Sequence, residues 1–195
     1  MEIRRTFKYR LYTSKRDKHL HQQIDVAGII WNHALAVQKR TYRLTGKYMG
    51  RFCLITHIGK MRRTERFAYW QLVGSQAVQE VVERLDKAYK RFFASLKDKG
   101  IKTGPPRFKK VKKYKSFTLK QAGWKLLGGN RIRLNGRNYK FVLSRPINGT
   151  IKTVTVKRDN AGRLFVCLSV IEEVNLPVEV STGKIGGFGR SDTSG

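Results

Sequence analysis

Residues 104–116 read Gly-Pro-Pro-Arg-Phe-Lys-Lys-Val-Lys-Lys-Tyr-Lys-Ser. The period of the apolar residues changes across this stretch, and that change decides the fold. Before it, apolar side chains recur at helical spacing, and after it they alternate as strands do. Pro105 and Pro106 fix φ and forbid helix continuation. The cations that follow therefore leave a stiff corner instead of a loose tail. A rigid cationic corner suits a polyanion running past it, nucleic acid above all.

The 195 residues carry 42 Lys and Arg against 13 Asp and Glu, a formal net charge of +29. Self-repulsion at that level is relieved when a polyanion neutralises it. The charge is unevenly spread: Asp98 and Asp159 are consecutive acids, and the 60 residues between them hold 18 Lys and Arg. Hydrophobic residues make up 40%, enough for a core and too many for wholesale disorder. A run of about 18 apolar residues, the minimum for a membrane-spanning helix, is missing, and no helix pairs a bulky apolar face with a uniformly basic one. The N-terminus, Met-Glu-Ile-Arg-Arg-Thr, lacks the apolar stretch of a signal peptide. Cys53 and Cys167 form no metal or redox spacing with each other. These features predict a cytoplasmic protein without membrane contact.

Working towards the N-terminus, Ile3, Arg5, Phe7, Tyr9 and Leu11 alternate with Arg4, Thr6, Lys8, Arg10 and Tyr12. This predicts a strand with a mostly apolar face and a basic face. The basic face, Arg4, Lys8 and Arg10, is a candidate phosphate-backbone contact; the wet side of a sheet reads the same way. Thr13 or Ser14 caps a long helix predicted over 14–44, with Leu20, Ile24, Ala27, Trp31, Leu35 and Tyr42 inward. Gly28 marks a bend in it or the close approach of a neighbouring helix. A loop over 47–51 holds Tyr48 and Arg51. A short helix carrying Phe52, Ile55, Ile58 and Met61 follows, then an irregular stretch over 64–70. A further helix begins at Ser75 and ends by Gly100, with Val78, Val81, Leu85, Tyr89, Phe92 and Leu96 inward. Its first polar residues, Ser75, Gln76 and Gln79, stand at the positive end of the helix, where amides read base edges.

Working towards the C-terminus, alternation predicts strands at 116–121, 124–127, 131–134, 139–144, 151–158 and 163–172. Turn signals separate them, among them Gly128-Gly129-Asn130 and Asn135-Gly136. The fold class is therefore α+β: a small antiparallel β-barrel, formed by 1–13 and 102–182, interrupted by an inserted helical domain over 14–101. Residues 183–195 read as a linker or tail.

No catalytic constellation emerges. Glu172 and Glu173 are adjacent in a strand and point to opposite faces. Cys53 and His57 have helical i,i+4 spacing, but two ligands do not make a zinc site. Neither a phosphate-binding GxxxxGK[ST] loop nor a GxSxG elbow is present. Binding chemistry remains, with cations interleaving aromatics at Lys8-Tyr9-Arg10, Arg107-Phe108-Lys109 and Lys113-Tyr114-Lys115. Phe108 either stacks on nucleic acid or anchors the corner in the core.

Four motifs in order resemble one family: Phe7–Tyr12, Trp31-Asn32-His33-Ala34-Leu35, Ala88–Phe93, and Gly104–Lys110 followed by Ser116-Phe117. The family is the transposon-encoded TnpB proteins and their relatives, the compact type V CRISPR effectors. The resemblance implies the N-terminal lobe of a prokaryotic RNA-guided DNA endonuclease, a wedge barrel with an inserted helical recognition domain. It implies guide RNA and target DNA as partners, with base pairing supplying sequence specificity. Arg4, Lys8, Arg10, Arg107, Lys109, Lys110, Lys112, Lys113 and Lys115 would hold RNA or duplex backbone. Ser75, Gln76, Gln79, Thr118, Lys120 and Gln121, with Tyr48 and Arg51, would read a short DNA motif beside the target. Lys184–Phe188 resembles the start of the RuvC-like nuclease, but Gly189 stands where the first metal-binding Asp is expected and Asp192 is displaced. The expectation is a chain with no catalytic residues or cofactor of its own, where Mg²⁺ would act only if a separate nuclease portion supplied its carboxylates. The alternative is a transposon-derived DNA-binding protein or repressor that acts without cleavage.

Overall fold

The computed structural model describes residues 2–98, 100 and 103–173. The tail reading, the nuclease-like start at Lys184–Phe188, Gly189 and Asp192 lie outside them. Strand β1 (Glu2–Arg10) leads into helix α1 (Asp17–Thr45), α2 (Arg51–Met61), a 3₁₀ segment Glu65–Leu72 and α3 (Ser75–Lys97). A second 3₁₀ turn, Val111–Lys113, precedes β2 (Ser116–Leu119), β3 (Trp124–Leu126), β4 (Arg131–Leu134), β5 (Arg137–Lys140), β6 (Thr150–Arg158) and β7 (Leu164–Glu173).

Strand β1 joins the later strands, pairing antiparallel with β7 in a four-stranded sheet ordered β1-β7-β6-β2. Alternation puts two apolar rows on its inner face. Tyr9, Val166, Val156 and Phe117 lie side by side, and so do Phe7, Leu168, Val154 and Leu119. All eight are buried. Strands β3-β4-β5 form a separate three-stranded sheet, with Ile132, Leu134 and Tyr139 inward.

The expected closed barrel is corrected to these two antiparallel sheets. After Leu119 the chain bends through Gly123, whose φ of +90 ends the ladder before β3 begins. On the other side a single bridge, Leu11 with Phe141, links β1 to the chain after β5. Tyr12 N–H to the Lys140 carbonyl and Val142 N–H to the Arg10 carbonyl extend that link. Such a contact joins two sheets at a corner, but it does not seal a barrel.

Helix α1 runs 29 residues; its N-cap position is Arg16 and not the expected Thr13 or Ser14, and Gly46, which is left-handed, closes it with its N–H on the Tyr42 carbonyl. Ser14, two residues before that position, steadies the entry: its N–H and hydroxyl both reach the Asp17 carboxylate, while its Oγ accepts from Arg16 N–H. Its inward stripe, Leu20, Ile24, Ala27, Trp31 and Leu35, is buried as predicted. The spacing places Tyr42, Leu96 and Phe52 inward too, but these three are well exposed, because they fall at or beyond the ends of the helix packing. The 64–70 stretch is largely a 3₁₀ helix that buries Trp70. Helices and both sheets share one contiguous core.

Candidate nucleic-acid interface

The basic corner is bolted along α1. Asn32 grips the Lys109 backbone twice, donating from Nδ2 to its carbonyl (2.8 Å) and accepting its N–H on Oδ1 (2.9 Å). Trp31 Nε1 donates to the Arg107 carbonyl at 3.3 Å. Pro106 and Tyr114 are buried, one at either end of the cationic run. Tyr114 lies against Gly28, where an added Cβ would sit 2.9 Å from Tyr114 Cβ. The α1 glycine thus admits this corner, which replaces the expected approach of another helix.

The far end of the corner is pinned electrostatically. Buried Arg158 donates from Nη2 to the Asp25 carboxylate (2.8 Å) and to the carbonyls of Tyr114 (2.9 Å) and Lys112 (3.3 Å). Lys112 Nζ also reaches Asp25 at 3.0 Å. Burial pushes the Asp25 pKa up, but the hydrogen bonds and charges of Arg158 and Lys112 outweigh it and hold the carboxyl low. Backbone fixing leaves the side chains facing water: Arg107, Lys109, Lys110, Lys112 and Lys113 are exposed and Lys115 half-buried. Lys109 Nζ sits 4.0 Å above the Trp31 ring. Its pKa is lowered by desolvation, with the nearby Arg84 charge adding to this. Lys115 is engaged by Asn160 Oδ1 at 2.6 Å. Phe108 is 55% exposed with Lys39 over its ring, so it does not anchor the core; Pro106 and Tyr114 take that part.

The second basic feature is the outer face of the four-stranded sheet. Arg4, Lys8 and Arg10 are all exposed. The register places Arg10, Phe165 and Lys157 in one row, and Lys8, Cys167 and Thr155 in the next. Lys8 Nζ stands 4.1 Å over the Phe165 ring. Lys157 is not among the residues singled out from the sequence, although the alternation of β6 already puts it on this face.

The residues expected to read a DNA motif are divided. Gln79, Ser75 and Gln121 are exposed and Gln76 half-buried. Ser75 opens α3 but does not cap it, because the N-cap position belongs to Gly74. Thr118 Oγ1 accepts from Arg84 Nη2 (2.9 Å) and meets Thr155 Oγ1 at 2.8 Å. Lys120 pairs with Glu83 at 2.6 Å. Thr118 and Lys120 thus form the seam that joins β2 to Arg84 and Glu83 of α3. Tyr48 and Arg51 are not brought to that seam. The Tyr48 hydroxyl donates to Asp86 Oδ1 at 3.0 Å, and its ring packs edge-on against Tyr89 and Phe93. Burial, then that bond to the carboxylate, pushes its pKa up. Arg51 stacks on Phe52.

Among the described residues no group of three or more His, Cys, Asp or Glu is placed to hold a metal ion, so these residues do not fit the Mg²⁺ of a cleaving site. Cys53 and His57 do not become one either: His57 Nε2 faces His33 Nε2 at 3.2 Å in a stacked pair. No described helix is long and apolar enough to cross a membrane.

Comparison with known proteins agrees with the resemblance carried by the four motifs. Residues 1–47 match the HTH_OrfB_IS605 family model, described as a helix-turn-helix domain. In this chain that stretch contains β1 and a single long helix, which ends at Thr45. A Streptomyces pristinaespiralis protein named "Putative RNA-guided DNA endonuclease" is 26% identical over 191 residues, covering 95% of this chain and 46% of the relative. An Escherichia coli K12 protein named "Putative RNA-guided DNA endonuclease InsQ" is 28% identical over 159 residues, covering 80% of this chain and 38% of the relative. The chain spans less than half the length of these curated relatives.

Proposed function

We propose that this chain is the nucleic-acid-gripping portion of a TnpB-like RNA-guided DNA endonuclease. The observation that carries the reading is the bolted corner, a backbone fixed by Asn32, Trp31 and Arg158 that presents consecutive exposed cations. Fixing the backbone before binding lowers the ordering cost when phosphates arrive. Guide RNA scaffold and guide–target duplex lie along this corner and the Arg4, Lys8, Arg10 face. Arg107, Lys109, Lys110, Lys112, Lys113 and Lys115 contact phosphates, and Phe108 offers a stacking surface. The strand-bearing segments 1–13 and 102–182 act as the wedge, with 14–101 as the recognition insertion. Ser75, Gln76, Gln79 and Gln121 read the motif beside the target, while Thr118 and Lys120 set their position through the α3–β2 seam.

Strand cutting is assigned to no described residue. In this reading Mg²⁺ and its carboxylates belong to a nuclease portion, and the setting is a prokaryotic cytoplasm. The test is to purify the protein, sequence the nucleic acid that accompanies it, and measure binding to target duplex with and without that RNA. A defined small RNA that is needed for duplex binding supports the proposal, and tight duplex binding without RNA refutes it. That second outcome is what the repressor alternative predicts.

A further inference from the structure

An apolar recess of about 280 Å³ opens between the last turns of α1 and α3. Its wall is Tyr42 of α1, Tyr48 of the loop that follows, and Tyr89, Phe92, Phe93 and Leu96 of α3. Helical spacing predicts Tyr42 and Leu96 inward, yet they are 60% and 67% exposed. The wall is packed before anything enters it. Tyr48 stands edge-on to both Tyr89 and Phe93, and its hydroxyl is held by Asp86, which also pairs with Lys90 at 3.1 Å. Gln38, beside them, is committed to the Met49 backbone, donating to its carbonyl (3.2 Å) and accepting its N–H (3.0 Å). The Tyr42 and Tyr89 hydroxyls are then the remaining polar groups of the wall. Residues 38–48 and 89–97, which carry all of these lining side chains, hold seven Lys and Arg and no Asp or Glu. The two helix C-termini account for about half a negative charge each, far less than those cations supply. Lys90 is paired with Asp86, and Lys39 lies over Phe108. Arg40, Arg43, Lys47, Arg91 and Lys97 are exposed, and among the described residues they form no ion pair.

We infer that this recess is a docking site for an acidic segment of another protein, which seats a bulky apolar side chain in the recess and sets Asp or Glu against the cations around it. The site goes beyond the nucleic-acid reading and does not depend on it. Size and chemistry choose the occupant. Small-molecule pockets run to roughly 300–1,000 Å³, so a recess of this size takes a side chain or two. A nucleobase brings several edge donors and acceptors, would meet two hydroxyls, and would leave the rest desolvated and unbonded. A leucine or phenylalanine side chain carries no such groups and gains by leaving water. A second copy of the chain would set the same seven cations against themselves across a two-fold contact, on a chain of formal net charge +29. Carboxylates flanking an apolar anchor answer both features, as amphipathic peptide segments do in hydrophobic grooves. The aromatic wall is already packed, so little ordering accompanies binding.

The test uses the full chain and two variants, a recess pair, Tyr42→Gln with Leu96→Gln, and a rim triple, Arg43→Gln with Lys47→Gln and Lys97→Gln. All five positions are exposed, so melting temperatures should stay within about 2 °C of the parent. The probe is a labelled peptide with one Leu and one Phe among Glu residues. Two control peptides replace Leu and Phe with Ala, or Glu with Gln. By anisotropy at about 0.15 M salt, where distant charges are screened, both controls should bind the parent more weakly than the probe. The recess pair should bind the probe at least about tenfold more weakly than the parent, the loss expected for one buried apolar anchor. The rim triple should lose affinity chiefly at low salt. Binding of a short RNA hairpin by the recess pair should match the parent's. Failure of the probe to bind the parent overturns the inference. Equal binding of the Ala control, or of the probe to the recess pair, overturns it as well, because general attraction to a basic chain would then explain the binding. A loss of RNA or phosphatidylglycerol-vesicle binding in the recess pair makes nucleic acid or lipid the occupant and overturns it. A parent dimer in sedimentation that the recess pair abolishes makes the occupant a second copy, with the same consequence. The control peptides on the parent chain decide the question even if the recess pair folds poorly.

Discussion

Replacing Asn32 with Ala removes both hydrogen bonds that hold the Lys109 backbone on α1 and leaves the 3.3 Å bond from Trp31 to the Arg107 carbonyl. Hydrogen bonds of this kind are worth about 0.5–1.5 kcal/mol each, and the site is exposed, so the loss is about 1–2 kcal/mol. For a chain of this size that lowers the melting temperature by about 2–8 °C. The loosened corner must then be ordered when RNA binds, so the same free energy is charged to affinity, a weakening of about 5–30-fold. Thermal denaturation without RNA and fluorescence anisotropy with RNA measure the two effects on one preparation. Full RNA affinity despite the drop in melting temperature would refute the claim that the corner binds because it is held.

Phe108→Ala should leave stability within about 0.5 kcal/mol, because the ring is largely exposed, yet weaken unpaired RNA by about 1–3 kcal/mol if bases stack there; urea denaturation and anisotropy separate the two. Gly28→Ala should destabilise by about 1–3 kcal/mol although alanine is the better helix former, since its Cβ collides with Tyr114; a gain in urea midpoint would contradict the close approach. Removing Arg84 with Ala leaves the largely buried Glu80 without its cation, and burial already pushes the Glu80 pKa up. The expected cost is about 2–4 kcal/mol, partly recovered in the double variant with Glu80→Ala, as denaturant melts would show. His19, His21 and His33 all have pKa values lowered, first by burial and then by neighbouring positive groups. The unfolded chain therefore binds more protons in the acid range. Their contribution is present above the ordinary histidine pKa of about 6.5 and is lost as pH falls below it. Melting temperature should drop between about pH 7.5 and about pH 5.5, and a pH-independent value would contradict the assignment.

Much of the architecture is readable from periodicity. Ile3 to Leu11 against Arg4 to Arg10 defines both faces of β1, because side chains in a strand alternate without ambiguity. Leu20, Ile24, Ala27 and Trp31 mark the inward stripe of α1 for the same kind of reason. Barrel closure is not readable. Turn signals such as Asn135-Gly136 say which neighbouring strands pair, but whether two distant edges meet depends on the bend at Gly123 and on one bridge at Leu11. The holding of the corner is equally hidden. Asn32 and Lys109 are 77 residues apart, and Arg158 and Asp25 are 133 apart, so no local spacing connects them. Tyr48 shows a further limit: a polar aromatic in a loop looks available until Asp86 and Tyr89, both on α3, are placed beside it.

In the proposed function the exposed cations of the corner and the β1 face are there for phosphates. Equilibrium binding of the co-purifying RNA, titrated from about 50 to about 200 mM salt, reads that role from the salt slope. With six or more phosphates neutralised, affinity should fall by roughly a thousandfold or more along a straight line of log K against log salt. An affinity that stays level across that range would mean that these cations do not hold phosphates.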